Sequence, residues 1–445
     1  MARRNTPVDC ENARVAAQTI EAGLHANDVS WFAFQKSTWI HFRLNTLTFI
    51  RTNSRWLFGG LLLTIFSSFG QTYFIALFGA EIRQTFDLSH GDFGGIYMIG
   101  TLTSAATLVW VGRVVDHYSV SAVAFYVCVA LSLACMAMSL VSSVWMLVLV
   151  IFGLRLFGQG MMSHIAMVAM GRWYSAERGR AVSITSMGFQ IGSGVLPLIM
   201  VSLIGLIGWR ASWVLAAALM IFVATPAIYL LMKKERIPRG QLPQASPSDT
   251  ERQWTHQEVL ADPLFWLMIT GVLAPAFIGT AVFFHQTHIS EIKGWSRELI
   301  AGSIALAAIT TIVFSLISGF LIDRFSARQL LPTFLVPLGI GNLLLGWMDG
   351  TIAIIIYMVL HGVSNRISNT LFGALWPEVY GTRYLGAVRS LIMAAMVIAS
   401  ALGPGATGWL IDAGVGFEVQ LVAMGVYCLL TAVLMAIVAR ALALR

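Results

Sequence analysis

Two arginines stand alone inside long apolar runs: Arg155, midway through 144–170, and Arg366, midway through 351–375. Insertion scales put the cost of such a charge at the centre of a bilayer at about 2.5–3.5 kcal/mol or more, so it faces a cavity or a partner. The usual partner is missing, because none of the 21 Asp and Glu residues falls in the middle of an apolar run. The interior is therefore expected to be electropositive when empty, and an anionic substrate is the simplest counter-charge. The planar guanidinium fork suits a carboxylate, which it can grip with two hydrogen bonds. Arg366 is the first candidate for that contact, since its neighbours His361, Ser364, Asn365, Ser368 and Asn369 make a polar face. Arg155 has two readings: a substrate contact, or a structural donor to the carbonyls of neighbouring helices.

Other polar side chains in the runs extend the candidate site. Gln71, Thr72 and Tyr73 follow Gly70, Gln190 lies between Gly188 and Gly192, and His285, Gln286 and His288 end the seventh run. The internal groups that titrate near neutrality are His164, His285, His288 and His361. A proton symporter would need one of them, or the substrate carboxylate itself, to carry the proton. Without that, exchange or facilitated diffusion is more natural. There is no Gly-x-x-x-x-Gly-Lys-Ser/Thr phosphate loop, no catalytic triad and no metal-ligand spacing. Cys10, Cys128, Cys135 and Cys428 make no redox pattern. An enzyme, a metal and a cofactor are not expected.

Positioning such groups requires helices that cross a membrane. The 445 residues are 57% hydrophobic and only 11% charged, and the mean hydropathy is +0.77. A soluble domain carries about 25% charge. A spanning helix needs about 20 apolar residues, and about twelve such runs are present. The first six fall at 56–79, 94–112, 120–141, 144–170, 181–207 and 210–232. The second six fall at 263–288, 299–322, 329–348, 351–375, 385–411 and 418–440. The expected fold class is an all-α membrane protein of two pseudo-symmetric six-helix bundles, 55–232 and 263–445. A polar linker over 233–262 joins them. Residues 1–54 precede the first bundle, as an interfacial helix over Trp31–Ile50 or as a disordered tail. With the N-terminus inside, 22 of the 28 Lys and Arg residues lie on the inner side, four outside and two within helices. That bias places both termini in the cytoplasm, and the basic excess faces inward rather than toward a nucleic acid. The expected partners are a small anionic molecule and membrane lipid, the protein acting as a monomer in the plasma (bacterial inner) membrane.

The two halves repeat each other. Gly112-Arg-Val-Val-Asp116-His117 follows the second run, and Gly319-Phe-Leu-Ile-Asp323-Arg324 follows the eighth. Trp173-Tyr174 with Glu177 follows the fourth, and Trp376 with Glu378 the tenth. In Gly-x-x-x-Asp the glycine lets helices approach, and the carboxylate can accept N–H groups at a helix end. This makes Gly112, Asp116, Gly319, Asp323 and Arg324 a candidate latch between halves.

These loops resemble the signature of the major facilitator superfamily, with His117 in place of the usual basic residue. Arg155-Leu-Phe-Gly-Gln-Gly160, Trp173-Tyr174 through Ala181, Gly208-Trp209-Arg210 and Leu375-Trp376-Pro377-Glu378 are similar to monocarboxylate-transporter-like and oxalate/formate-antiporter-like members. The resemblance implies alternating access by a secondary or facilitative transporter of small organic anions. It also implies a cavity lined by the first, fourth, seventh and tenth helices, which favours Gln71, Tyr73, His285 and Arg366. Arg155 matches the fourth-helix arginine of the superfamily. The charged pair expected in the eighth helix of monocarboxylate carriers is absent from Ile300–Ile322, and the eleventh run holds only Arg389. Two other readings stand beside this one: an exporter of amphipathic drugs or metabolites, and a membrane sensor or assembly factor on the same fold.

Overall fold

The computed structural model describes residues 48–174, 177–234, 254–381 and 385–444. Residues 1–47 and most of the 233–262 linker lie outside the described residues, as do the side chain of Asp323 and the surroundings of Gly319. The described chain is helical, with no strand among the described residues. The chain divides into two units, Met1–Leu57, of which residues 48–57 are described, and Phe58–Arg445. Residues 48–54, expected in the N-terminal extension, are helical.

The larger unit carries the site. α1 is a bent pair, Thr48–Gly70 and Thr72–Phe86, turned by 46°. α2 is His90–Val111, α3 Val120–Ser139 and α4 Val144–Trp173. α5 and α6 form one apolar stretch, Gly179–Met232, of 54 residues. At 1.5 Å per residue that stretch would reach about 80 Å, far beyond a bilayer core of about 30 Å. It turns back at Gly208, whose φ of 79° and ψ of 165° are outside the helical region. In the second half, α7 is Pro263–Phe284, followed by a short helix Gln286–Lys293. α8 runs over 297–325 and ends at Ser326, where φ is 61°. α9 is Val336–Trp347, α10 Ile352–Tyr380, α11 Leu385–Asp412 and α12 Phe417–Ala443.

The ninth span is shorter as an α-helix than the 329–348 run suggests. A turn over 331–335 precedes it, where Pro332 removes a backbone donor, and Pro337 sits in the first turn of the helix, where a missing donor is tolerated. Helix starts follow local chemistry. Ser89 and Asp92 form a reciprocal capping box at α2. Ser119, Ser143 and Ser296 cap α3, α4 and α8. Asp262 caps α7, with Pro263 in the first turn.

Call the end carrying the 233–254 connection the linker end and the opposite end the distal end. α2 packs along α11, α5 against α8, α8 along α10 and α9 along α12. Buried Phe69, Phe74 and Phe78 meet Trp213 of α6, with ring centroids 4.8–5.5 Å apart along the chain of contacts. Exposed apolar side chains, among them Leu133, Leu149, Phe222 and Leu430, cover the outward faces. Such a surface is suited to lipid, and the chain is an integral membrane protein. Eight of the described helices are long and apolar enough to cross a membrane, or nine with the bent pair.

Gly208 has open space where a Cβ would stand, so a side chain there meets only the backbone strain of its positive φ. Gly208→Ala is expected to lower stability by about 1–3 kcal/mol. Gly205→Ala, in equally open space within α5, should leave stability unchanged or raise it. Thermal unfolding of the two purified variants separates these outcomes.

Candidate functional site

The site begins at the break in α1. The helix tightens over Ser67–Gly70, and Gln71 then adopts extended backbone, with φ −82° and ψ 151°. A break at this depth frees peptide groups that lipid cannot satisfy. Three carbonyls at the break have partners. Arg155 Nη1 donates to the Gly70 carbonyl at 3.1 Å and to Thr72 Oγ1 at 3.4 Å. Gln286 Nε2 donates to the Tyr73 carbonyl at 2.8 Å. The Gln71 carbonyl accepts from the N–H groups of Phe74 and Ile75.

Arg155 is held from several sides. It lies in a π-helical segment of α4, Leu154–Met162. Its guanidinium sits 5.2 Å from the Tyr97 ring centroid, and the Tyr97 and Thr72 hydroxyls are 2.7 Å apart. The two backbones touch beside it: a Cβ on Gly158 would stand 2.7 Å from Gly70 Cα. Arg155 is only 4% exposed, and its Nε has no hydrogen-bond partner.

Two adjoining cavities, about 320 and 280 Å³, share Gln71, Tyr73, Phe283, His361 and Asn365. The first also reaches Arg155 and Gln159 of α4, Thr280 of α7 and Ser400 of α11. The second reaches Gln190 and Ser193 of α5 and Thr311 of α8. No carboxylate lines either cavity among the described residues. The polar part of the lining is one buried cation with several amides and hydroxyls, set among apolar side chains such as Phe283, Met393 and Met396. It can neutralise a small anion and hydrogen-bond its remaining oxygens. His361 stands against Phe283 and Tyr357, with centroids 5.1 and 5.7 Å away, and its Nδ1 is buried without a partner.

Of the residues expected from sequence, Arg155, Gln71, Tyr73, His361, Asn365 and Gln190 gather at these cavities. Arg366 does not: it is half-buried on α10 and lines neither cavity. His361 and Asn365, one helical turn apart, occupy the inward arc, and Arg366 is turned about 100° from Asn365. His285 sits above the cavity toward the distal end, its Nε2 donating to the Pro404 carbonyl at 3.3 Å. His164 is at the linker end, where Nε2 donates to the Gly112 carbonyl at 3.1 Å. Gln159 was not singled out from sequence. Gln159 could have been, because it lies one turn beyond Arg155 on the same face of α4.

The latch residues work within halves here. Asp116 accepts from Arg172 at 3.1 Å, joining α4 to the loop after α2. In the second half Arg328 pairs with Glu378 at 3.1 Å, and Glu378 also accepts the Ala327 N–H. Arg324 is exposed beside the Phe325 ring. The polar ties between halves are distal. Arg297 pairs with Glu81, Arg83 with Glu291 at 3.7 Å, and Asp412 accepts the Gly91 N–H at 2.7 Å.

Residues 60–313 and 281–442 match the family model of the Major Facilitator Superfamily. Among curated proteins, the oxalate:formate antiporter of Oxalobacter formigenes is 23% identical over 255 residues, which cover 56% of this chain and 59% of that one. The chain thus spans about three fifths of the length of that relative. Among solved structures, a bacterial homologue of the human lysosomal transporter Spinster, inward-facing and unoccupied, aligns with a TM-score of 0.67. It is 18% identical, with 87% of this chain and 97% of that chain covered. The same homologue in an inward-facing occupied form aligns with a TM-score of 0.62 at 19% identity, covering 87% and 95%. At these identities the structural likeness concerns the fold.

The Gly70–Gly158 contact is tight enough to test. Gly158→Ala would drive a methyl into the backbone of α1 and is expected to cost about 1–3 kcal/mol. Gly160→Ala meets the flexible end of Leu108 instead, at 3.3 Å, and should cost less. Denaturant unfolding in detergent gives the comparison.

Proposed function

The chain belongs to the Major Facilitator Superfamily, and we propose that it carries a small organic anion, a carboxylate, across the membrane by alternating access. The observation that carries this reading is the buried Arg155 guanidinium at a cavity with no carboxylate in its lining. The role first expected of Arg366 passes to Arg155. Nη1 holds the broken helix, and the guanidinium stands in the wall of the cavity where an anion would bind. Gln71, Gln159, Asn365 and His361 surround the place where its oxygens would lie. The 23% identity to an oxalate:formate antiporter supports the same substrate class. The cavity volume is near the lower end of small-molecule sites, which are about 300–1,000 Å³, and favours a compact substrate.

Access alternates between a distal gate, closed by the Glu81, Glu291 and Asp412 ties, and the linker end. The excess of Lys and Arg at the linker end supports cytoplasmic termini in a plasma (bacterial inner) membrane. We take the transporter to work as a monomer.

A thermal-shift screen of the purified full-length protein against carboxylates, organic cations and neutral metabolites tests the reading. A carboxylate at 100 times its Kd should add about 2.7 kcal/mol to the apparent stability. The shift should vanish in Arg155→Gln, which keeps a donor for Gly70, and persist in Arg366→Ala. Gln159→Leu, which leaves the Gly70 contact intact, should weaken it. The reading fails if no carboxylate stabilises the protein, or if the shift survives Arg155→Gln. Stabilisation by amphipathic cations alone would favour the exporter instead.

A further inference from the structure

The distal gate holds a group of titratable side chains that neither the cavity nor the family match explains. His90 opens α2, while His285 and His288 flank the start of the short helix after α7. The ring centroids of His90 and His288 are 4.1 Å apart, and those of His90 and His285 are 5.9 Å apart. These contacts cross from one half to the other. Arg83, in the second segment of α1, reaches His90 with Nη1 to Nε2 at 3.1 Å and Glu291 at 3.7 Å. Glu291 is shared, because His288 Nδ1 lies 4.0 Å from it. Phe417 at the start of α12 packs against both His285 and His288.

The hydrogen-bond directions fix the charge state of the closed gate. A guanidinium only donates, so the bond from Arg83 needs a lone pair on His90 Nε2. His90 is therefore neutral, with its proton on Nδ1. His285 donates Nε2–H to the Pro404 carbonyl. A proton on His90 would remove the acceptor that Arg83 uses. A proton on His288 would draw Glu291 away from Arg83 and place a second positive charge beside His90. Two cations this close repel each other.

The other charges facing the cluster are accounted for. Asp412 of α11 is engaged by the Gly91 N–H. Glu418 of α12 lies 3.9 Å from Lys293, which also pairs with Asp349 at 2.6 Å. Glu81 is paired with Arg297. Protonation thus attacks the Arg83–Glu291 tie while the Asp412 contact still holds α2 to α11.

We propose that His90, His288 and Arg83 form a proton-binding latch in which protons taken up from the distal side break the Arg83 contacts, one of the three ties that close the distal gate, and shift the gate toward its open state. This rests on the transport reading only for its purpose. The site binds protons whether or not the cargo is an anion, and it would couple cargo movement to a proton gradient. His285 is a positioning residue, keeping the cluster against Pro404.

The test is the gate distance, read without any cargo. Full-length protein carrying Cys10→Ser, Ser142→Cys and Thr351→Cys is spin-labelled in lipid nanodiscs. Ser142 and Thr351 are exposed distal-end positions in opposite halves, while Cys128, Cys135 and Cys428 are buried away from label. Pulsed dipolar distances are compared at pH 8 and pH 5. The expected result is a longer-distance population at pH 5 that is at least tenfold smaller in the His90→Gln/His288→Gln variant. Should that pair fold poorly, Glu291→Gln should raise the long population already at pH 8 and flatten the pH response. Distances that ignore pH, or a full pH response in the double histidine variant, overturn the proposal. Neither result bears on the carboxylate shift through Arg155, so the two readings fail separately.

Discussion

A helix interrupted inside a bilayer carries peptide groups that neither lipid nor the next turn can satisfy. In this protein the burden falls on one guanidinium. Arg155 holds the Gly70 carbonyl, and the α1–α4 crossing is close enough only because Gly70 and Gly158 present bare backbone to each other. From that contact follow the extended backbone at Gln71, the place of Gln71 and Tyr73 in the cavity lining, and the placement of a positive charge beside them. A structural role and a ligand role look like rivals for Arg155 in the sequence; in the structure the residue holds the Gly70 carbonyl while standing in the cavity wall, so the first does not exclude the second.

The second half answers this break with a different one. α7 ends at Phe284, and the chain resumes as a helix at Gln286. Gln286 then reaches across to the Tyr73 carbonyl, so the discontinuity of one half is completed by the discontinuity of the other. Aligning Trp173 with Trp376 pairs Arg155 with Met358, so the cation has no symmetry mate. The backbone plan is nearly two-fold, but the charge distribution is not. One wall of the cavity is cationic, while the facing wall offers His361, Asn365 and Thr280. An asymmetric ligand can therefore bind in one orientation.

The architecture was largely legible from hydropathy, because apolar length is a one-dimensional property. The twelve runs locate the helices to within several residues. The errors lie where geometry departs from a straight helix. The run at 329–348 conceals the turn before Val336, and the run at 56–79 conceals the break at Gln71. The site was legible by residue type more than by position. Burial of a lone Arg is visible in sequence, but which way Arg366 faces depends on packing against α8 and α9, which no local pattern encodes. The distal cluster was half visible: His285 and His288 stood out at a helix end, whereas His90 and Arg83 read as loop residues. They meet the other two only through the α2–α11 crossing, between residues more than 300 apart in sequence.

The bond between Gly70 and Arg155 spans 85 residues, and that between Tyr73 and Gln286 spans 213. A ribosome adds about 5–20 residues per second, so Arg155 is made roughly 4–17 s after Gly70, and Gln286 roughly 11–43 s after Tyr73. Throughout that interval α1 has a polar gap at its waist and is a poor solute for lipid. It is completed first by α4 and then by the far half of the chain. The nascent first helix is thus a natural client for whatever shelters unfinished segments at the insertion site, and the order of synthesis becomes part of how the cavity is built.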